Sequence, residues 1–375
     1  GAAQTMTFKA STTEFGGPVT FDSAVAAGVT YTMATNALTL AGLLTIQNTA
    51  GGASGNTILT TSAGNLGITA GSVTIGTRGT LTANGSTISV GGNWTVTAAN
   101  ATFTAGTSTV VLTAAAIVTM TQSFNNLTAS AGTATLAANT VVGAALIVSG
   151  GTLAKVTFTL SAATLTLSGG ALTSTSGNGT VTGNVNVSSA VSYIAFGSET
   201  WTVGGSWTNA STSGSWNAGT GTVVFNAATS KTMTFGALPG AEFNNVQFSP
   251  TAAATFTMAT NGVRWGGNLA LNNNATLATT NLALTGGSLI VNNGATLNAG
   301  SSTVNVASVT MTGGTSGGIV LTAGSWTVTG SWNTSGNGST FTKGTSTITL
   351  SGTAQTVAIR NAANGFYNLT ISGTI

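Results

Sequence analysis

Apolar and polar residues alternate in short segments along almost the whole chain. In the stretch that begins at Gly286, these segments are Leu289-Ile290-Val291, Ala295-Thr296-Leu297 and Val304-Asn305-Val306. Alternation with a period of two is typical of strands, and no stretch shows the periodicity of a helix. Thr and Val favour strands, whereas Gly and Asn favour the corners between them. The pattern predicts an all-β protein built from short strands.

The alternating segments recur with a short, nearly constant period. Related units, each with three alternating segments, start at Gly266, Gly286, Ser308, Gly330 and Gly352. Three short strands and tight corners in roughly 20–22 residues correspond to one turn of a parallel β-solenoid, whose turns stack about 4.8 Å apart. At this period the 375 residues give about 17 turns. Each turn buries its apolar residues only against its neighbours, so stacking must stabilise the fold.

A longer repeat of about 117 residues contains the short one. Its signature is a Trp followed at a constant interval by the Gly of a Gly-Thr pair. The three copies of the signature are Trp94 and Gly106, Trp207 and Gly219, and Trp332 and Gly344. An aromatic residue close to Asn then follows each copy, at Phe124, Phe243 and Phe366. The segment at Gly1 also resembles the one at Gly352, so the last part of the chain repeats the phase of the first.

These periods predict one continuous solenoid over residues 1–375, with long repeats at approximately 1–123, 124–242 and 243–375. The rival fold is three β-sandwich domains, one for each long repeat. Sandwich strands are usually longer and need no such short subperiod, so the solenoid is favoured. In the solenoid, each of the six Met residues is predicted to point inward, because each follows a Thr and precedes Thr or Ala.

Charged residues make up 3% of the chain, against roughly 25% in a typical soluble domain. The seven Lys and Arg residues, from Lys9 to Arg360, are scattered, so we predict no nucleic-acid surface. Cys is absent, which excludes disulfides and thiolate metal sites. No apolar stretch approaches the ~18 residues of a membrane span, so none is predicted. Because so few residues are charged, the solubility of the chain must come from hydroxyls and amides.

The chain has four acids, Glu14, Asp22, Glu199 and Glu242, and no His. Glycosidase chemistry needs two carboxyl groups within about 5–10 Å of each other. The position that Glu14 occupies in the first long repeat is occupied by Glu242 in the second, with no second acid near it, and by Gly365 in the third. We therefore interpret Glu242 as an incidental surface charge. Four dispersed acids also cannot form a strong Ca²⁺ site. We predict that the chain is not an enzyme and has no catalytic, cofactor-binding or metal-binding residues and no cofactor.

Trp residues could serve as platforms for sugars, but their pattern favours packing. Trp201 and Trp207 flank one copy of a short Trp-bounded segment, and Trp326 and Trp332 flank another. In the first long repeat Ile88 stands in the place of the leading Trp, which a sugar platform would not tolerate. Pairs of Thr around one apolar residue resemble ice-binding arrays. They fall on all strands of a turn at irregular spacing, so ice binding is disfavoured.

The segments "GTSTITLSGTAQTV" and "FYNLTISG" resemble repeats of very large secreted or surface proteins of bacteria and archaea. Such repeats are similar to those of adhesins and of filamentous-haemagglutinin-type β-helices. The resemblance covers most of the chain and implies an extracellular or cell-surface location and a structural or adhesive role. Its motifs specify an architecture rather than a ligand, so no functional residue is transferred.

Two functional hypotheses follow. In the first, the chain is a subunit or segment of an extracellular fibre, sheath or surface layer. It would be a homopolymer that assembles end to end through open solenoid ends, which are unpaired sheet edges, and laterally through neutral faces that cost little to desolvate. In the second, it is an adhesin stalk or passenger module that binds glycans or surfaces. Exposed rows of Trp or Tyr would favour the second hypothesis, and buried Trp residues would weaken it.

Overall fold

The computed structural model describes residues 3–8, 15–23, 25–50, 55–61, 64–98, 100–313, 317–338 and 340–373. These residues form a parallel β-solenoid of about 16 turns that lie roughly 22 residues apart, which confirms the predicted fold. The one helical element among them is a single 3₁₀ turn at Ala362–Asn364. Every strand pairing recorded in the described chain is parallel, as it must be when the same strand of successive turns stacks.

The chain divides into two compact units, Gly1–Asn178 and Gly179–Ile375. The strands of the first unit, in chain order, are β1 Ala3–Thr7, β2 Val19–Asp22, β3 Val29–Thr35, β4 Leu38–Thr39, β5 Leu43–Gln47, β6 Thr57–Thr60, β7 Ile68–Ala70, β8 Ser72–Ile75, β9 Gly79–Thr82, β10 Thr87–Val90, β11 Trp94–Val96, β12 Thr102–Thr104, β13 Thr109–Leu112, β14 Ala116–Met120, β15 Ser123–Phe124, β16 Asn126–Ala129, β17 Thr133–Leu136, β18 Thr140–Val148, β19 Thr152–Val156, β20 Leu160–Leu167 and β21 Ala171–Ser174.

Three parallel sheets form the faces of the first unit. One contains β1, β3, β6, β9 and β12, and a second runs from β2 through β5, β8, β11, β14, β17 and β19 to β21. The third passes through β4, β7, β10, β13, β16, β18 and β20. A complete turn therefore supplies one strand to each face, as the three alternating segments per unit predict.

The first sheet ends at β12, where a side chain stands in for the next strand. The following turn is short. Fewer residues separate Val110 from its partner Leu127 than separate Ile88, one turn earlier, from its partner Val110. The amide of Gln122 accepts a hydrogen bond from the backbone nitrogen of Phe103 and donates one to the carbonyl of Ala101 at 2.7 Å. It thus satisfies main-chain groups that a paired strand would otherwise satisfy.

The second unit continues the numbering with β22 Gly179–Val181, β23 Val185–Val187, β24 Tyr193–Ala195, β25 Thr200–Val203, β26 Trp207–Asn209, β27 Thr222–Phe225, β28 Lys231–Thr234, β29 Asn245–Phe248, β30 Ala254–Thr260, β31 Val263–Leu271, β32 Ala275–Ala278, β33 Leu284–Val291, β34 Thr296–Gly300, β35 Val304–Met311, β36 Gly318–Leu321, β37 Ser325–Val328, β38 Trp332–Thr334, β39 Thr340–Thr342, β40 Thr347–Leu350, β41 Val357–Ile359 and β42 Asn368–Ile371. The strands β31, β33 and β35 are long, and β33 pairs over most of its length with β31 on one side and with β35 on the other.

Inward residues stack into ladders that form the core. Val304 pairs with Trp326, Trp326 with Ile348, and all three side chains are fully buried. Of the Met residues, Met6 is half-buried in β1, the first strand of its sheet. The others are buried as predicted: Met33, Met120, Met233, Met258 and Met311. Turn-on-turn stacking therefore supplies the apolar environment that a single turn lacks.

Asn and Gly occupy corners with left-handed backbone. Asn273 and Asn274 have φ of 51° and 60°, and Gly294 has φ of 75°. Asn tolerates this region because its short side chain can hydrogen-bond locally. The side chain of Asn292 also donates to that of Asn272, one turn earlier, so a short amide ladder accompanies these corners, as their sequence suggested.

Equivalent residues of the Trp signature lie on different ladders. Starting at Trp201, successive pairings lead through Val223, Val246, Leu269, Leu289 and Val309 to Trp332. Trp207, which is the sequence equivalent of Trp332, instead pairs with Met233 on another ladder. The signature thus moves to a neighbouring face from one occurrence to the next, because its spacing is not a whole number of turns.

Candidate functional site

The acids were the first candidates for chemistry, and those that the structure describes all serve as hydrogen-bond acceptors for the fold. Glu14 lies outside the described residues. Asp22 accepts hydrogen bonds from the backbone nitrogen and hydroxyl of Thr49, at 3.0 and 2.8 Å, and from the amide of Gln47 at 3.1 Å. Burial of Asp22 raises its pKa, but the bonds from Thr49 and Gln47 together lower it more, so the pKa lies below its ordinary value.

Glu199 closes a corner of the second unit. Its carboxylate accepts from the backbone nitrogen of Gly197 at 3.1 Å and from the indole nitrogen of Trp201 at 2.8 Å. Only 5% of Glu199 is exposed. A substrate could not reach this carboxyl group without displacing the corner that surrounds it.

Glu242 is a buried structural carboxyl, and the interpretation of it as an incidental surface charge is wrong. Only 2% of the residue is exposed. One carboxyl oxygen, Oε1, accepts from the indole of Trp207 and the amide of Asn209, both at 2.7 Å, and Oε2 accepts from the backbone nitrogen of Gly236 at 3.0 Å. The carboxyl group can be buried because three donors replace the water that it loses.

The loop that leads to Glu242 folds back over it. Gly236 must be small, because a Cβ there would stand 2.7 Å from the side-chain nitrogen of Asn209. The backbone of Glu242 is also held, since its nitrogen donates to the carbonyl of Arg264 at 2.9 Å and its carbonyl accepts from the indole of Trp216 at 2.9 Å. Groups from several segments of the chain therefore converge on one residue.

Burial raises the pKa of Glu242 from its ordinary 4.5 to about 7, and the bonds from Asn209, Trp207 and Gly236 limit the rise. The group is therefore partly protonated near neutral pH. A carboxyl with such a pKa can act as an acid or base in an active site. Here both of its oxygens already accept protein hydrogen bonds, so the arrangement favours a structural role.

Aromatic rings surround this carboxyl. Phe243 lies with its ring centroid 5.2 Å from Trp207, 5.9 Å from Phe225 and 6.2 Å from Phe235. Trp216 lies 6.3 Å from Trp207. The Trp signature and the Phe that follows it are thus brought together in space, and this contact explains why they recur together in the sequence.

The same grouping occurs at each occurrence of the signature. Near Trp94, the rings of Phe103 and Phe124 lie 4.9 and 5.6 Å from the indole. Near Trp332, the rings of Phe341 and Phe366 both lie 5.2 Å away. We call each group of three an aromatic triad: Trp94, Phe103 and Phe124; Trp207, Trp216 and Phe243; Trp332, Phe341 and Phe366.

None of the Trp residues forms an exposed platform. Trp216 is half-buried within its triad. The other six are at most 3% exposed: Trp94, Trp201, Trp207, Trp265, Trp326 and Trp332. Ile88, in the place of a leading Trp, is fully buried as well. Stacking against a sugar ring needs an accessible aromatic face, so the Trp residues support packing and not glycan recognition.

Lys155 is a buried cation held by main-chain oxygens. It is fully buried, and its ammonium donates to the carbonyls of Phe158 at 3.1 Å, Ser176 at 2.6 Å and Gly177. These oxygens belong to corners of two successive turns, and Gly177 adopts a φ of 73°. The lysine therefore ties neighbouring corners together, a role that its sequence context does not reveal.

A pocket of about 270 Å³ lies beside the loop that covers Glu242. Its lining residues are Gly236, Ala237, Leu238, Asn261, Gly262, Arg264, Ala283 and Thr285. Arg264 is the only one of them that carries a charge. Arg264 is one of the seven Lys and Arg residues that are scattered along the sequence, and only the stacking of turns places it against this hollow.

Within the part of the chain that the structure describes, no three acids, His or Cys come together as metal ligands. No helix in the same residues is long and apolar enough to cross a membrane. Comparison with protein-family models, with curated proteins and with solved structures gives no match. The fold is that of β-helix proteins in general, and the adhesin-like identity stays an expectation from the sequence.

Proposed function

We propose that this chain is a subunit or segment of an extracellular fibre, sheath or surface layer, and that copies join end to end by continuing the solenoid. The observation that carries the proposal is the apolar surface of the last turn. Leu369 and Ile371 in β42 are 44% and 49% exposed. They pair with Ile348 and Leu350, both fully buried one turn earlier.

The exposed residues continue two core ladders. Leu369 follows Ile348, and Ile371 follows Leu350, at the positions where the next turn would cover them. An exposed Leu or Ile gains about 1.5–3 kcal/mol when it is fully buried. A further turn placed on β42 would therefore bury two side chains that now face solvent.

The main chain of β42 also offers hydrogen bonds. Its pairing is with β40, and no second partner strand is recorded for it among the described residues. An unpaired edge is a template for another strand. At the other end of the sequence, β1 pairs with β3 alone among the described strands. Each of these strands therefore has one edge that another strand could pair with.

A second copy of the chain is the occupant that we propose for the open edge. The first segment, from Gly1, resembles the last complete unit, from Gly352, and a Phe follows each Gly at the same interval, at Phe15 and Phe366. The first turn of a second copy is therefore of the same kind as the turn on which it would stack. The low charge of the chain, at 3%, also leaves few ions to desolvate where copies pack side by side.

The alternative, an adhesin stalk or passenger module that binds glycans, lacks a row of exposed Trp. The most exposed large aromatic side chain among the described residues is Tyr367, at 57%, and it lies in the same last turn as Leu369. A contact between copies would use Tyr367 as readily as a sugar would. Burial of the Trp residues therefore supports the structural hypothesis over the adhesive one.

Negative-stain electron microscopy and sedimentation of the purified chain test this proposal. The wild-type protein should form filaments or end-on oligomers, and the double variant Leu369→Lys with Ile371→Lys should remain monomeric, because two charges would have to be buried at the junction. The matched control is Ile117→Lys, which alters a side chain that is 50% exposed on β14 in the first unit. Strictly monomeric wild-type protein at high concentration would refute the proposal.

A further inference from the structure

The pocket beside Arg264 owes its shape to small residues. Four of its eight lining residues are Gly or Ala: Gly236, Ala237, Gly262 and Ala283. Gly262 cannot be replaced without rearrangement, because a Cβ there would stand 2.0 Å from the carbonyl oxygen of Ala283. The turn thus approaches its neighbour closely at Gly262 and leaves a hollow beside it. At about 270 Å³ it is close to the lower end of ligand pockets.

Arg264 is held in place at the wall of this hollow. Its Nη1 donates to the carbonyl of Leu238 at 2.8 Å, and its own carbonyl accepts from the backbone nitrogen of Glu242 at 2.9 Å. Within the described residues, its remaining guanidinium N–H groups make no hydrogen bond, and the residue is exposed. The guanidinium group is therefore fixed through Nη1, and its remaining N–H groups are available to a ligand.

A second pocket, in the first unit, provides a contrast. It measures about 240 Å³ and is lined by residues 27–30 and by Gly55, Asn56 and Ile58. None of these residues is ionisable, so a charged ligand would find no partner there. The hollow at Arg264 combines a similar volume with a positive charge, in a chain where only 3% of residues are charged.

We propose that the hollow at Arg264 binds a small organic carboxylate of about the size of one sugar residue. The planar guanidinium matches a carboxylate in a two-point hydrogen-bonded pair. Asn261 and Thr285 supply polar groups on the other walls for hydroxyls of the ligand. This binding does not depend on the assembly proposed above, because no residue that lines the pocket lies in β42 or in its partner strand β40.

A carboxylate fits this hollow better than a phosphate does. One guanidinium neutralises the single charge of a carboxylate, whereas a phosphate monoester carries close to two charges at neutral pH. Glu242 lies behind the wall, bound to the backbone of Gly236, and its ionised form would repel surplus negative charge. The single Arg with an acid behind it therefore selects for a monoanion.

Titration of the full chain at pH 8, where most of Glu242 is ionised and a phosphate monoester carries close to two charges, tests the proposal. Ligand-observed NMR would compare glucuronate, glucose 6-phosphate and glucose, which differ chiefly in the charged group. Glucuronate should bind, and glucose and glucose 6-phosphate should bind at least tenfold more weakly. Equal binding of glucose, or tighter binding of glucose 6-phosphate, would overturn the proposal.

Variants separate the pocket from unspecific attraction. Arg264→Gln should weaken glucuronate binding at least tenfold, Arg264→Lys should weaken it severalfold because the fork is lost, and Ala283→Leu should weaken it by filling the hollow. Arg360→Gln is the control, since Arg360 is also an exposed Arg and lies in the loop before Phe366, and it should leave binding unchanged. If circular dichroism shows that Arg264→Gln is folded and it still binds glucuronate with unchanged affinity, the site is refuted. Filament formation by the same variant would show that assembly does not depend on this site.

Discussion

The triads around Trp207 and Trp332 have the same sequence signature but different polar interiors. In the first, the indole donates to Glu242 at 2.7 Å. In the second, it donates to the hydroxyl of Thr334, at 3.3 Å, and the equivalent of Glu242 is the uncharged Gly365. The loops before the final Phe differ accordingly, since "GALPGAE" precedes Phe243 and "RNAANG" precedes Phe366.

The neutral triad closes its loop with amides. The side chain of Asn361 accepts from the backbone nitrogen of Asn364 at 3.1 Å and caps the 3₁₀ turn Ala362–Asn364. Gln355 donates to the carbonyl of Val328 at 3.0 Å and to that of Gly330. The aromatic residues are therefore the common part of the signature, whereas the buried polar groups differ between the two triads.

The largest difference between the triads should appear on truncation of the final Phe. Phe243 is fully buried among at least four rings, whereas Phe366 is half-buried in the last turns. We expect Phe243→Ala to reduce the free energy of unfolding by about 3–5 kcal/mol. Phe366→Ala should cost about 1–2 kcal/mol, because its site is already partly solvated. Chemical denaturation would measure both, and equal losses would contradict the packing difference.

Only the triad of Trp207 should respond to pH near neutrality. The pKa of Glu242 is raised from 4.5 to about 7 in the folded chain, so the folded state holds a proton that the unfolded state has lost between these values. The resulting stability is fully present below about pH 4.5 and is lost as pH rises through about 7, a change of about 3 kcal/mol. Hydrogen exchange at the backbone nitrogen of Gly236, corrected for intrinsic rates, should show protection falling between pH 5 and 8.

The variant Glu242→Gln is the control for this dependence. Its side chain cannot ionise, so protection near Gly236 should no longer change over the same pH range. The amide would also place a donor opposite one of the present donors, so the variant should be less stable than the wild type at pH 5. A variant that keeps the full pH response would assign the titration to another group.

The smallest effects should come from the indole nitrogens. Trp207→Phe removes a donor from the buried Glu242 carboxylate and should cost about 2–3 kcal/mol, since hydrogen bonds to charged groups are the stronger ones. Trp326→Phe should change stability by less than about 0.5 kcal/mol beyond its small loss of packing, because the buried nitrogen of Trp326 has no partner among the described residues. If Trp207→Phe and Trp326→Phe lose comparable free energy of unfolding at pH 8, the hydrogen bond from Trp207 to Glu242 adds little to stability.

Particular residues show how far the sequence could be interpreted. Five of the six Met residues were placed in the core correctly, because the period of two makes the direction of a strand residue local information, and only Met6 in β1 is half-buried. Glu242 was placed wrongly, because its partners Trp207 and Asn209 lie 35 and 33 residues away in the chain. The available signal was the acid directly before the recurring Phe, which occurs at Glu14 as well as at Glu242, whereas Ser123 and Gly365 take the same place before Phe124 and Phe366.

The sequence by itself determined the all-β class, the turn of about 22 residues, the inward ladders and the Asn and Gly corners, since each depends on residues close together in the chain. The tertiary structure alone decided which turns face one another. Stacking moved the Trp signature to a neighbouring face, enclosed Glu242 and Lys155 among distant donors and acceptors, and put Arg264 beside a hollow. Such contacts depend on the summed lengths of all intervening turns. These lengths vary, as the short step from Val110 to Leu127 and the long step from Trp207 to Met233 show, and no local pattern records their sum.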